Sequence, residues 1–315
     1  MNGNGSKIEI FKPFGEAFEL MKKILFQPFD LKKWLVIGFA AWLANLGGGG
    51  GGSNFNYPDN RREDAQKLNE TIGQIPQPVL ITGICVLIFV ILLLIVLFAW
   101  LRARGRFILV DCIVHNRATI AEPWKEFRAE GNSFFLFSLL VVLVLIAVIV
   151  IAGLVLIVPF IPWGDQAQPG VAFWIGLSLF VFVAVCLAFV WALSSQLMVP
   201  IMYRQRCGAR LAFAQAVDLV TSHPGPVLLY VLFLLLLAVA VVMISCAVTC
   251  ATCCIAAIPY VGTVILLPIP VMLGAFSLSF LRQFGPDYDV WAGFMPPEFL
   301  PVLMPLPAPS GTEAD

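Results

Sequence analysis

Long stretches of this chain carry no ionised side chain, and that property narrows the possible folds more than any motif does. Charge-free runs extend from Trp34 to Pro58, from Pro76 to Leu101, from Gly131 to Gly164, from Gln166 to Tyr203 and from Pro224 to Leu281. A helix needs roughly 20 apolar residues, rising 1.5 Å each, to cross about 30 Å of hydrocarbon, and most of these runs exceed that length. Only 12% of the 315 residues are charged, against roughly 25% in a soluble domain. The 19 basic and 19 acidic residues are gathered into short segments between the runs. The pattern predicts an all-α, polytopic membrane bundle of about six transmembrane helices. Its spans are expected near 30–48, 78–101, 133–158, 171–200, 225–256 and 262–281.

The long Pro224–Leu281 run divides into two spans at Ile258-Pro259-Tyr260-Val261-Gly262. The first span is short and runs into six glycines, Gly47–Gly52. A signal peptide is the rival reading there. More than thirty residues with their own amphipathic pattern precede it, however, whereas a secretory n-region is a short basic stub. The segment is therefore expected to stay uncleaved.

Basic residues near span ends stay in the cytoplasm, and their distribution sets the expected orientation. Sixteen of the 19 would fall on one side: six before the first span, six between Arg102 and Arg128, Arg204, Arg206 and Arg210 after the fourth span, and Arg282 after the sixth. Only Arg61, Arg62 and Lys67 would fall opposite. Both termini are thus expected in the cytoplasm.

The inward-running helices end alike, in Leu101-Arg102-Ala103-Arg104-Gly105, Tyr203-Arg204-Gln205-Arg206 and Leu281-Arg282-Gln283-Phe284-Gly285. Each outward-running helix follows a segment of helical period. In the first, Phe14, Ala17, Phe18, Met21 and Leu25 share a face. In the second, Thr119 and Glu122 fit a capping box, with Ile120, Trp124 and Phe127 on one side. In the third, Phe213, Val217 and Val220 align. These segments are expected to lie in the membrane interface. The predicted unit is an interfacial amphipathic helix plus a helical hairpin, used as three parallel repeats. The sceptical alternative is that any hairpin membrane protein places basic residues after its inward helices.

The start Pro28-Phe29-Asp30-Leu31-Lys32-Lys33-Trp34, with its upstream amphipathic helix and glycine-rich outer loop, resembles uncharacterised prokaryotic multi-pass membrane families. These are similar in layout to the membrane domain that accompanies some glycerophosphodiester phosphodiesterases. The resemblance carries no catalytic motif. It implies a fold type and a prokaryotic inner membrane rather than an activity.

Residues 1–285 form the expected membrane domain, and 286–315 a proline-rich cytoplasmic tail. The glycine run reads as a flexible tether and lacks the ending of a phosphate loop. Cys246, Cys250, Cys253 and Cys254 cluster in the fifth span, where helical spacing places Cys246, Cys250 and either Cys253 or Cys254 on one face. They are candidate ligands for a soft metal, weighed against the use of cysteine as a small packing residue, which is favoured. His115 and His223 stand in no nucleophile or zinc motif. Asp111, Glu122, Glu126 and Glu130 are available for acid–base work, but Glu126 and Glu130 read as a solvated helix face. Pro268-Ile269-Pro270 should kink the sixth span.

The basic residues Lys22, Lys23, Lys32, Lys33, Arg102, Arg104, Arg106, Arg204, Arg206 and Arg210 are expected to ring the bundle at headgroup level, where each gains about 1 kcal/mol near an anionic surface. The expected function is a non-enzymatic, lipid-engaging scaffold or partner subunit. Membrane lipids and other membrane proteins are its partners, nucleic acid is not, and no cofactor is implied. Two alternatives stay open: a facilitator for a neutral or apolar solute, and a metal- or redox-linked enzyme built on the cysteines.

Overall fold

The computed structural model describes residues 9–46, 76–157, 171–252 and 258–292. Its elements are helices: α1 (Phe11–Phe26), α2 (Leu31–Asn45), α3 (Gln77–Val114), α4 (Ala121–Glu126), α5 (Arg128–Ile157), α6 (Val171–Gln205), α7 (Ala209–Ser222), α8 (Pro224–Ala251), α9 (Pro259–Ile265) and α10 (Pro268–Arg282). Proline opens α8, α9 and α10, in a first turn that has no use for its missing N–H. Asp30 caps α2, accepting from the backbone N–H of Lys32 at 2.8 Å and of Lys33 at 3.4 Å.

Among the described residues, three helices are long and apolar enough to cross a membrane: Gln77–Val114, Arg128–Leu154 and Pro224–Ala251. The protein is a membrane protein, all-helical among the described residues, and its apolar mass is unevenly packed. Among the described residues, no apolar side chain is buried between Gln77 and Arg102, between Phe135 and Leu154, or between Val231 and Leu266. The core lies instead at one end of the long helices, where Ala103–Val114 and Leu197–Tyr203 meet α1, α2, α7, α10 and the start of α8. The molecule is a packed base from which bare apolar shafts project, a surface suited to lipid rather than water.

Of the first expected span, 30–48, residues 31–45 form a helix and 47–48 lie outside the described residues. As α2 it has 15 residues, a length of about 22 Å at 1.5 Å per residue, short of the hydrocarbon thickness. It runs antiparallel to the last third of α3 rather than to the apolar 78–101 segment. Lys33 Nζ donates to Asn116 Oδ1 at one end (2.7 Å). At the other, a Cβ on Gly105 would stand 2.6 Å from both Leu43 C and Ala44 N. The physical reason is composition: Gly38, Ala40, Ala41 and Ala44 are buried, and small residues allow the close helix approach that a lipid-facing surface does not need.

The second span was expected to end at Leu101, yet α3 continues to Val114. The sixth is divided, with a break at Leu266–Leu267 between α9 and α10, just ahead of the Pro268-Ile269-Pro270 run. One carbonyl at this break, Val264 O, accepts from Trp34 Nε1 at 2.9 Å. Tyr260 OH donates to Leu35 O (3.3 Å), so α9 is tied to α2 through both.

The amphipathic segments also pack differently from expectation. Helix α1 buries Pro13, Ala17, Leu20, Met21, Ile24 and Leu25 on α10 and leaves Phe18 46% exposed. Its apolar face is filled by protein. Helix α7 buries Ala209, Ala212, Ala216 and Leu219, while Val217 is exposed. The Thr119–Glu122 capping box does not form. Ile120 is the N-cap of α4, and Glu122 is taken by Arg117 at 2.7 Å. A short helix followed by two further helical stretches recurs along the chain, but α4 has 6 residues against 16 in α1, and α2 has 15 against 30 in α5. Past residue 285 the packed chain continues: Val290 and Trp291 are buried, and Asp289 accepts from Arg282 Nε at 3.1 Å.

Candidate functional site

The polar groups of the base gather where α3 ends, α4 begins and α6 arrives. Asp111, fully buried, is one turn from the end of α3. Arg117, just beyond that helix, grips it with two bonds, Nε to Oδ2 at 3.0 Å and Nη2 to Oδ1 at 3.3 Å. The Tyr203 hydroxyl, from α6, donates to Oδ1 at 3.0 Å and lies 3.2 Å from His115 Nδ1. His115 Nδ1 is itself 2.9 Å from Oδ1. The carboxylate thereby joins three segments and has its lone pairs occupied, the condition under which a buried charge is tolerated. The hydrogen bond to Asp111 holds the Arg117 guanidinium above its ordinary pKa.

The network extends outward. Arg117 Nη1 reaches Glu122 Oε2 at 2.7 Å. Glu126 lies between Arg117 and Arg206, pairing with Arg206 Nη2. Arg206 Nη1 is 3.6 Å from Glu130 Oε1. The Arg206 guanidinium also covers the Phe127 ring at 3.9 Å, and Phe127 stacks on Tyr203 at 4.6 Å. These contacts hold Arg206 at φ +51°, a left-handed conformation that side-chain-bearing residues disfavour by about 1 kcal/mol or more. Glu126 and Glu130, expected as a solvated face, are thus engaged by a cation just past the end of α6. Sequence offered no signal for this, because the partners are about 80 residues apart.

Arg104 occupies a second enclosure. Its Cζ stands 4.6 Å from the centroids of both Trp100 and Trp124. Its Nε and Nη2 donate to Asn132 Oδ1 at 3.3 and 3.2 Å, and Trp100 Nε1 donates to the same oxygen at 3.1 Å. It is 6% exposed, so its cation is held by ring faces and one amide rather than by an acid.

The ten basic residues expected as one ring are therefore distributed among different surroundings. Lys22 and Glu19 are 3.7 Å apart on exposed α1. Lys33 is bound to Asn116, Arg104 lies between tryptophans and Arg206 lies among glutamates. Lys32 and Arg210 are exposed, Arg204 and Lys23 half-buried. Arg102 and Arg106 lie one turn apart on α3, both partly buried, with Arg106 Cζ 5.6 Å from the Phe134 ring. Of the cysteine candidates, Cys246 and Cys250 are exposed on α8, and Cys253 and Cys254 fall outside the described residues. Among the described residues, no three His, Cys, Asp or Glu side chains gather as a metal-holding group.

A family model described as a family of unknown function (DUF7544) matches residues 9–290. The match ends at the buried Val290, so it covers both the base and the apolar shafts. It is to an uncharacterised family, as the layout implied, and carries no link to the membrane domain of glycerophosphodiester phosphodiesterases. No curated protein and no solved structure matches the chain.

Proposed function

Because the chain belongs to this family of unknown function (DUF7544), we propose its role from physical features alone: a non-enzymatic membrane scaffold or partner subunit that engages anionic lipid. One observation carries the proposal. The shafts bury no apolar side chain among the described residues 77–102, 135–154 and 231–252, and basic residues lie around the base at their foot, with Lys32 and Arg210 exposed and Arg204 half-buried. Apolar shafts embedded in the bilayer bring these cations to the headgroups, where each gains about 1 kcal/mol.

The non-enzymatic part rests on the Asp111 cluster. Its carboxylate is committed to Arg117, Tyr203 and His115, so it acts as a clamp joining α3 to α6. By the bias of basic residues, the base faces the cytoplasm of a prokaryotic inner membrane. Other membrane proteins would meet it along the shafts.

The test is reconstitution of the full chain into phosphatidylcholine vesicles with and without phosphatidylglycerol. A Lys32→Gln, Arg204→Gln, Arg210→Gln variant is expected to lose its preference for phosphatidylglycerol by about a hundredfold, from roughly 1 kcal/mol per residue. A correctly inserted variant with unchanged preference would refute the lipid role. Saturable solute flux by the chain alone would replace the scaffold with a facilitator.

A further inference from the structure

We infer that Phe11, Phe18 and Phe26 of α1 form a lipid-contacting row that carries the bilayer surface of α8 onto the base, with the acyl chains of the membrane as its partner. An amphipathic helix ordinarily has two faces, one for the core and one for water. At about 100° per residue, α1 has three. Ala17, Leu20, Met21 and Ile24 are buried on one, against α10. Lys12, Glu16, Glu19 and Lys23 fall within about 60° of one another on a second. Phe11, Phe18 and Phe26 fall within about 80° of one another on the third, in a row about 22 Å long. Core and water are each served by another face, so the phenylalanines answer to neither. Phe11 is 81% exposed, Phe18 46% and Phe26 47%. Gly15 lies in the same row, and a Cβ there would meet nothing within 4 Å.

Two observations identify lipid as the occupant. The first is continuity with a membrane surface. The Phe11 ring meets Phe233 of α8 edge-on, with centroids 6.1 Å apart, and around Phe233 the side chains of Leu229, Leu232 and Leu236 are exposed. Helix α8 is long and apolar enough to cross a membrane, so the row prolongs a surface that belongs among acyl chains. The second is how charge is kept off the row. Lys22 is the one ionised residue whose angle falls there, and its Nζ turns toward Glu19 on the charged face, at 3.7 Å. A lysine at an apolar boundary carries its ammonium out of the oil in this way. What remains is rings and a glycine, without the polar rim that a protein partner would engage. The inference rests on the membrane seating of α8 in the proposed function and not on the preference for anionic headgroups.

The experiment reconstitutes the full chain in vesicles of phosphatidylcholine alone, with the photoreactive residue p-benzoylphenylalanine at one position at a time. It replaces Phe11, Phe18 or Phe26 in the row, Glu19 on the charged face, or Leu236 on α8. All five side chains are exposed, so the packed face of α1 is left intact. After irradiation, mass spectrometry counts adducts to phospholipid, and gel electrophoresis detects links between chains. Phospholipid adducts are expected at the three row positions and at Leu236, and not at Glu19. A row position without adducts, where Leu236 has them, would overturn the inference and leave the seating of α8 intact. Links between chains in place of lipid adducts would overturn it too, by assigning the row to a second copy. So would adducts at Glu19 as abundant as those in the row, since α1 would then have no lipid-facing side of its own. Loss of adducts at Leu236 as well would remove the inference together with the membrane seating it rests on. With no anionic lipid present, each outcome is independent of the phosphatidylglycerol preference.

Discussion

Two glycines of the same helix make opposite predictions, and together they test how α2 packs. A Cβ added at Gly105 would lie 2.6 Å from Leu43 C, 2.6 Å from Ala44 N and 2.9 Å from Leu43 Cβ. Ordinary carbon contacts fall at about 3.5–4.0 Å, so α2 and α3 would have to separate by about 1 Å. Two of the three obstructing atoms are backbone, so no rotamer change relieves the clash. Overpacking of this kind costs about 1–3 kcal/mol, and the backbone clash points to the upper end. Separation would also loosen the Ala40, Ala41 and Ala44 contacts that Gly105 permits. Gly83, in the apolar shaft, has nothing within 4 Å of its added Cβ. There alanine removes only the helix penalty of glycine, a gain of up to about 1 kcal/mol. Thermal unfolding of Gly105→Ala and Gly83→Ala in one detergent, followed by circular dichroism, should move the midpoint down for the first and level or up for the second. Equal midpoints would mean that α2 does not lie against residues 105–116, and the account of the base would fail with it.

Other perturbations have graded outcomes. Asp111→Asn keeps the shape but withdraws the charge that Arg117 pairs with, so its unfolding midpoint should fall by the equivalent of about 2–3 kcal/mol. Glu122→Gln, at an exposed pair, should cost less than about 1 kcal/mol by the same measurement. Arg104→Lys removes the planar stack between Trp100 and Trp124, with an expected loss of about 1–2 kcal/mol and a change in tryptophan fluorescence. Trp34→Phe removes the 2.9 Å bond to Val264 O, leaving that carbonyl with backbone contacts at the break such as the 3.4 Å bond from Leu267 N, and should cost about 1 kcal/mol. Faster deuterium uptake confined to α9 would be its signature in hydrogen exchange.

The sequence by itself determined the class of molecule. Excluding ionised groups from lipid-length runs is a one-dimensional property, readable without contacts, and it gave a helical membrane protein of six expected spans, of which those near 78–101, 133–158 and 225–256 coincide with helices long and apolar enough to cross a membrane. Helix starts at Asp30 and at the prolines were legible for the same reason, since caps act within a few residues. What only tertiary structure decided was which apolar surfaces face lipid and which face protein. Hydropathy does not show that α2 packs on the end of α3. Its small residues meet α3 through Gly105, while the leucines and isoleucines of the α3 shaft stay unburied. Periodicity likewise placed an apolar face on α1 but not its occupant, which is α10.

The candidate site was hidden for a related reason. Arg206 meets Glu126 and Glu130 across about 80 residues, and Tyr203 meets Asp111 across 92. Spacing along a chain carries no information about pairs that only helix packing brings together. The basic residues show the same limit. Their number and side could be counted from the sequence, but burial among tryptophans, pairing with glutamates or exposure to solvent depended on where each helix face turned.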